Sequence, residues 1–115
     1  MEIKKQITYE EFSAVDIRVG KIISAEVFAE ARKPAYKLQI DFGKEIGIKR
    51  SSAQITTLYA AEQLIGKQIV AVVNCAPKQI ATFISEVLLL GVIQGGGAVV
   101  LLETERNVEL GSSIS

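Results

Sequence analysis

Between Arg32 and Thr56 the chain alternates apolar and polar residues with a period of two, and this constrains its fold more than any other feature. Tyr36, Leu38, Ile40 and Phe42 occupy one phase; Lys37, Gln39 and Asp41 occupy the other. Successive side chains leave opposite faces of an extended strand, so the pattern predicts one buried and one solvated face. Gly43 and Gly47 flank a short polar turn, and Ile46 and Ile48 resume the apolar phase. That predicts a hairpin. Arg32, Lys33, Lys37, Lys49 and Arg50 are then candidates for one basic, anion-binding surface.

Bulk composition narrows the function classes. At 115 residues, 49% of them hydrophobic, the chain suits one domain with a substantial core, spanning 1–115. Its 13 cations and 13 anions cancel, which argues against a histone-like coat but not against a local patch. Residues 1–58 hold ten of those cations beside eight acids, so the charge is polarised. There is no histidine, and Cys75 is the one cysteine. An intramolecular disulfide, a cysteine-based zinc site and a histidine triad are therefore excluded, and we expect no catalytic residue, metal or cofactor. Cys75 has no activating base and reads as a small buried hydrophobe. A polar N-terminus and short apolar runs predict no signal peptide and no membrane insertion, and a reducing, cytoplasmic setting.

Local signals order the elements. Thr8-Tyr9-Glu10-Glu11 has the spacing of a capping box, predicting a short helix around Tyr9–Ser13 with Phe12 as its inward anchor. A long strand follows, with Val15, Ile17, Val19, Ile23, Ala25 and Val27 in phase and a bulge or bend just after Gly20. Thr56 or Thr57 is expected to cap a helix running through Leu64–Ile65 and ended by Gly66. Gln68–Asn74 and Ser85–Val92 read as strands, Ala76–Ala81 as a proline-led turn, and Gln94–Gly97 as the turn before a last pairing segment, Ala98–Glu103. Three strands, a helix and two strands is the order of the mainly β, five-stranded Greek-key OB barrel, here with one mid-chain helix and a short N-terminal helix.

Several segments carry a family resemblance. Asp16-Ile17-Arg18-Val19-Gly20-Lys21-Ile22, Asp41-Phe42-Gly43, Asn74 with Pro77-Lys78, and Ser85-Glu86 resemble the tRNA-binding OB domain. That module occurs alone and appended to methionyl-tRNA and phenylalanyl-tRNA synthetases. The run Ile46-Gly47-Ile48-Lys49-Arg50-Ser51-Ser52-Ala53-Gln54-Ile55-Thr56 is closer still to the CsaA-type, export-associated chaperone-like proteins. The resemblance covers nearly the whole chain. It implies a homodimer that binds tRNA and handles unfolded or exported polypeptides, with the N-terminal helix near Phe12 and the C-terminal strands at the dimer contact. The family's Ser-x-Gly-Met-type segment bears on tRNA. Here it reads Ser85-Glu86-Val87-Leu88, which leaves Ser85 as its candidate.

Roles follow from side-chain chemistry. Arg32, Lys33, Lys37, Lys49, Arg50 and Lys78 suit phosphates, and Asn74 suits a base or sugar edge or else caps the Pro77 turn. Asp16 and Arg18, two apart on one strand face, read as a structural ion pair. With no Trp and few other aromatics, the chain suits folded RNA better than single strands. A second function class is capture of polypeptide in an apolar groove at a dimer seam, lined by Phe28, Tyr36, Ile84, Val87 and Leu88.

Overall fold

The computed structural model describes residues 2–115. In chain order its elements are α1 (Tyr9–Ser13), β1 (Ile17–Val27), β2 (Tyr36–Asp41), β3 (Ile48–Ala53), α2 (Ala61–Leu64), β4 (Gln68–Val72), β5 (Lys78–Ile80), β6 (Phe83–Ser85), β7 (Leu88–Leu89), β8 (Gly91–Ile93) and β9 (Val99–Leu101). Five strands form one antiparallel sheet in the order β3-β2-β1-β4-β7, and β5–β6 and β8–β9 are separate hairpins. The sheet curls into a nearly closed OB-type barrel.

The period-two phase is the core. Tyr36, Leu38, Ile40 and Phe42 are all buried and pack with Ile22, Ile55, Leu64, Ile69 and Leu101. The alternation continues in β3, where Ser51 and Ala53 are the buried residues. Ile48 departs from expectation: it pairs with Asp41, a member of the solvated phase, and is exposed. The phase of β1 is also corrected. Its register shifts between Ile22 and Ser24, so Ile22 is fully buried while Ile23 and Val27 are exposed. The bulge thus lies beyond Gly20 rather than directly after it. Gly20 serves close packing, since a Cβ there would sit 2.6 Å from both Ile40 Cγ2 and Phe42 Cε1.

Barrel closure falls between β3 and the segment after β6. The Glu86 N–H donates to the Arg50 carbonyl at 2.8 Å. Side chains make the neighbouring bonds. The Ser51 hydroxyl donates to the Val87 carbonyl at 3.1 Å, the Ser52 N–H to Ser85 Oγ at 3.0 Å, and the Arg50 N–H to Glu86 Oε1 at 3.0 Å. The Ser85–Val92 stretch, expected as one strand, is split among β6, β7 and β8 because it turns from this closure onto β4 and then into a hairpin.

The capping box forms: Thr8 Oγ1 accepts from the Glu11 N–H and Glu11 Oε1 from the Thr8 N–H. Phe12, however, is exposed, and α1 buries no residue. A five-residue helix off the barrel end has no core to reach. The mid-chain helix is shorter than expected and starts after Ala60, whose N–H donates to Gln63 Oε1 at 2.8 Å; Thr56 and Thr57 lie outside it. Gly66 ends it with φ +92°. Ala76–Ala81, expected as a turn, contains β5, and Cys75 is exposed rather than buried because β4 ends at Val72. The C-terminal segment returns along β1, with the Gly111 N–H donating to the Val19 carbonyl and the Ile114 N–H to that of Ile17.

Two outcomes test this packing. Gly20→Ala forces a methyl into Ile40 and Phe42 and is expected to destabilise by about 1–3 kcal/mol, read by denaturant unfolding. The second concerns Glu86. The Arg50 N–H holds its carboxyl below the ordinary glutamate value against the opposing effect of burial, with the guanidinium beside it assisting. A depressed native pKa contributes stability that is present above the unfolded-state value and lost as pH falls through the native one. Wild type should therefore melt above Glu86→Gln at neutral pH, and the gap should close on acidification past the glutamate range.

Candidate functional site

The outer face of β2 and β3 is set by register. Lys37 pairs with Ser52 and Gln39 with Arg50, all in the solvated phase. On one side, Glu26 of β1 stands opposite Lys37. On the other, Ser52 is bonded to Ser85, which pairs with Lys78 across the β5–β6 hairpin. A transverse row therefore crosses five strands and one closure: Glu26, Lys37, Ser52, Ser85, Lys78. A second row beside it holds Ser24, Gln39, Arg50 and Glu86.

Aromatic rings brace this surface. Phe28, just after β1, and Phe83 of β6 meet edge to face with centroids 5.4 Å apart. Lys37 Nζ lies 5.5 Å from the Phe28 centroid, and the Arg50 guanidinium 5.7 Å from that of Phe83. Both cations also meet carboxylates at 3.4 Å, Lys37 with Glu26 and Arg50 with Glu86. These pairs are solvent-accessible and individually weak.

The other expected RNA-facing residues divide. Arg32 and Lys33 are exposed in the β1–β2 loop. Lys33 borders a hollow of about 370 Å³ with Pro34, Gln54, Thr57 and Ile93. Lys78 borders another, of about 350 Å³, with Ser52, Gln54, Cys75 and Ser85. Lys49 follows Ile48 and shares the phase of buried Ser51, so Lys49 and Arg50 leave opposite faces of β3. They do not form one patch by adjacency. Asn74 is committed to the fold: its Oδ1 accepts from the Asp16 N–H at 2.9 Å and its Nδ2 donates to the Ala14 carbonyl at 2.8 Å. It clamps the start of β1 rather than capping the Pro77 turn. Ser85 likewise spends its hydroxyl on β3, as an acceptor. Arg18 bonds Asp16 through Nε at 2.6 Å and the Gly111 carbonyl through Nη1 at 3.0 Å, tying β1 to the C-terminal segment.

Of the five residues expected to line an apolar groove, Phe28, Tyr36 and Val87 are buried in the chain's own interior. Tyr36 also donates its hydroxyl to the Tyr59 carbonyl at 2.6 Å. The strand phase that buries Leu38 and Ile40 buries Tyr36 too. Ile84 and Leu88 remain exposed. An apolar hollow of about 320 Å³ does exist, but Leu88 is joined there by Ile55, Leu89, Ile93, Val99 and Leu101. Ser52 and Gln54, which line a hollow with Lys78, were not singled out from the sequence. Their signal was present, since Ser52 has the outward phase of Lys37, and Gln54 lies in the same eleven-residue run, Ile46 to Thr56.

The family model described as "Putative tRNA binding domain" matches residues 17–113. The crystal structure of the CsaA chaperone protein from Picrophilus torridus is 55% identical and superposes with a TM-score of 0.89, covering 96% of this chain and all of that one. Chaperone CsaA from Bacillus anthracis str. Ames is 51% identical with a TM-score of 0.92 and the same coverage. A methionine–tRNA ligase of Methanococcoides burtonii is 34% identical over 111 residues, 96% of this chain. The chain spans about 16% of the length of that curated relative. No helix among the described residues is long and apolar enough to cross a membrane. With its OB-type barrel, the family-model match over residues 17–113 and near-complete overlap with these relatives, the chain belongs to the tRNA-binding domain family, in the group that includes the CsaA proteins.

Proposed function

We propose that this protein is a non-catalytic tRNA-binding module of the cytoplasm that grips folded RNA as a homodimer. The observation that carries the reading is the meeting of two hollows at Gln54, each with a lysine on its border. Gln54 borders both, with Lys33 at one end and Lys78 at the other, and Ser52 and Ser85 between. Among the described residues neither lysine has a carboxylate within 4.0 Å, so both are open to phosphates. Gln54 is exposed and carries both a donor and an acceptor for a base or ribose edge. Lys37 and Arg50 flank the surface, and Arg32 extends it. Asn74 and Ser85 act on RNA indirectly, by holding the strand ends that present these groups.

A chain with no net charge and a handful of cations has modest affinity as a monomer. Two copies of the surface related by a two-fold axis bind one folded RNA with a raised effective concentration. Exposed apolar residues at one end of the barrel, Ile7, Tyr9, Phe12, Val15 and Ile114, favour burial against a second copy. A second reading is peptide capture. The apolar hollow at Leu88, Ile93 and Leu101 and the two chaperone-named relatives favour a site for an extended, unfolded or exported polypeptide.

Salt separates the readings. RNA affinity should fall steeply with ionic strength, while apolar peptide capture should persist. In an anisotropy titration with tRNA, Lys33→Glu/Lys78→Glu is expected to weaken binding by at least about tenfold at low salt and flatten the salt slope by about two units for each protomer that grips the RNA. Unchanged affinity would remove the surface assigned here. Light scattering should return twice the chain mass; a monomer would remove the shared grip.

A further inference from the structure

The cations of the outer face fall into two classes. Lys33 and Lys78 stand free of carboxylates. Lys37 and Arg50 are each held at 3.4 Å by an acid of the same chain, Glu26 and Glu86. Glu86 is no wandering surface acid. Its Oε1 also accepts the Arg50 main-chain N–H at 3.0 Å, and its own N–H donates to the Arg50 carbonyl. It is therefore fixed beside the guanidinium by the barrel closure itself. Glu26 stands directly opposite Lys37 in the β1–β2 ladder. The two acids thus occupy matching positions, one beside each strand cation, at the two margins of the β2–β3 face.

We propose that Glu26 and Glu86 are built-in competitors for RNA phosphates, so that Lys37 and Arg50 contribute little to affinity until a phosphate displaces them. This rests on the reading of the outer face as the RNA surface. The physical basis is ion exchange. A free lysine that meets a phosphate releases a counterion from the RNA, and binding weakens as salt rises. A lysine or arginine that leaves an internal carboxylate for a phosphate also releases that counterion, but the freed carboxylate takes one up. The net release is close to zero. The wild-type salt slope therefore counts cations such as Lys33 and Lys78 and omits Lys37 and Arg50. The face is tuned for reversible rather than tight binding, and its specificity rests more on Ser52, Gln54 and shape than on charge.

The test is a tRNA anisotropy titration at several salt concentrations with wild type, Glu26→Gln/Glu86→Gln and a control, Glu62→Gln. Glu62 is an exposed acid of α2 with no cation within 4.0 Å among the described residues. Glutamine at 86 retains an oxygen for the Arg50 N–H, and a melting curve checks that the barrel persists. The double variant is expected to bind more tightly at low salt, by about fivefold per acid removed, the factor that one solvated charge pair at this range is worth. Its salt slope should steepen by about two units for each protomer that grips the RNA, one per cation released. The control should match wild type in slope. If wild type binds tRNA but the double variant keeps the wild-type slope, or binds more weakly, the acids only position their cations and the proposal fails while the RNA surface stands. If Glu62→Gln steepens the slope equally, the effect is bulk charge and the proposal again fails. If wild type binds no tRNA at any salt, the surface assignment fails and takes this proposal with it.

Discussion

The barrel depends on how one edge of β3 is closed. A sheet of five strands has two edges, and an exposed edge is both unsatisfied and an invitation to aggregate. Here β3 meets the Ser85–Val87 segment through a main-chain bond and three bonds in which Ser51, Ser85 and Glu86 supply a side-chain oxygen. Ser51 is fully buried, so its hydroxyl must find a partner, and it finds the Val87 carbonyl. Side chains can close a gap where two backbones are not in ladder register. That is why a small barrel with short strands shuts here without a continuous fifth pairing.

The closure also builds the surface proposed for binding. The bonds that seal β3 bring the β5–β6 hairpin against it, and Phe83 then rests on Phe28. Lys78 thereby joins Ser52 and Gln54 around one hollow, although 24 positions separate Lys78 from Gln54 in the chain. The acid that completes the seal, Glu86, is the same group that holds Arg50. The proposed competition would therefore couple stability and ligand affinity through one carboxylate. A barrel tightened by that pair presents one less available cation.

How far a pattern can be read depends on whether its cause is local. The β2 core phase was legible from alternation alone, because a strand has one geometry and the residues Tyr36 to Phe42 carry no interruption. The capping box at Thr8 and Glu11 was legible because its bonds span three residues. The Asp16–Arg18 pair was legible for the same reason. Ile48, Ile23 and Val27 were misassigned because turn length and a bulge reset the phase, and a shift of one residue moves every side chain to the other face. Cys75 was misassigned because its burial depended on where β4 stops.

The sequence by itself determined an OB-type barrel, the buried phase of β2 and the family. These follow from periodicities of two residues, from caps and glycines, and from an ordered set of motifs. Only the tertiary structure decided which cations share a face and which are already paired. Lys49 and Arg50 are neighbours in the chain and point apart, while Lys37, Ser52, Ser85 and Lys78 are distant in the chain and form a row. It also decided that Asn74 clamps the fold and that Phe28, Tyr36 and Val87 are interior. The reason is that strand pairing and barrel closure bring residues together across as many as 55 positions, and no local pattern records which partner lies across the ladder.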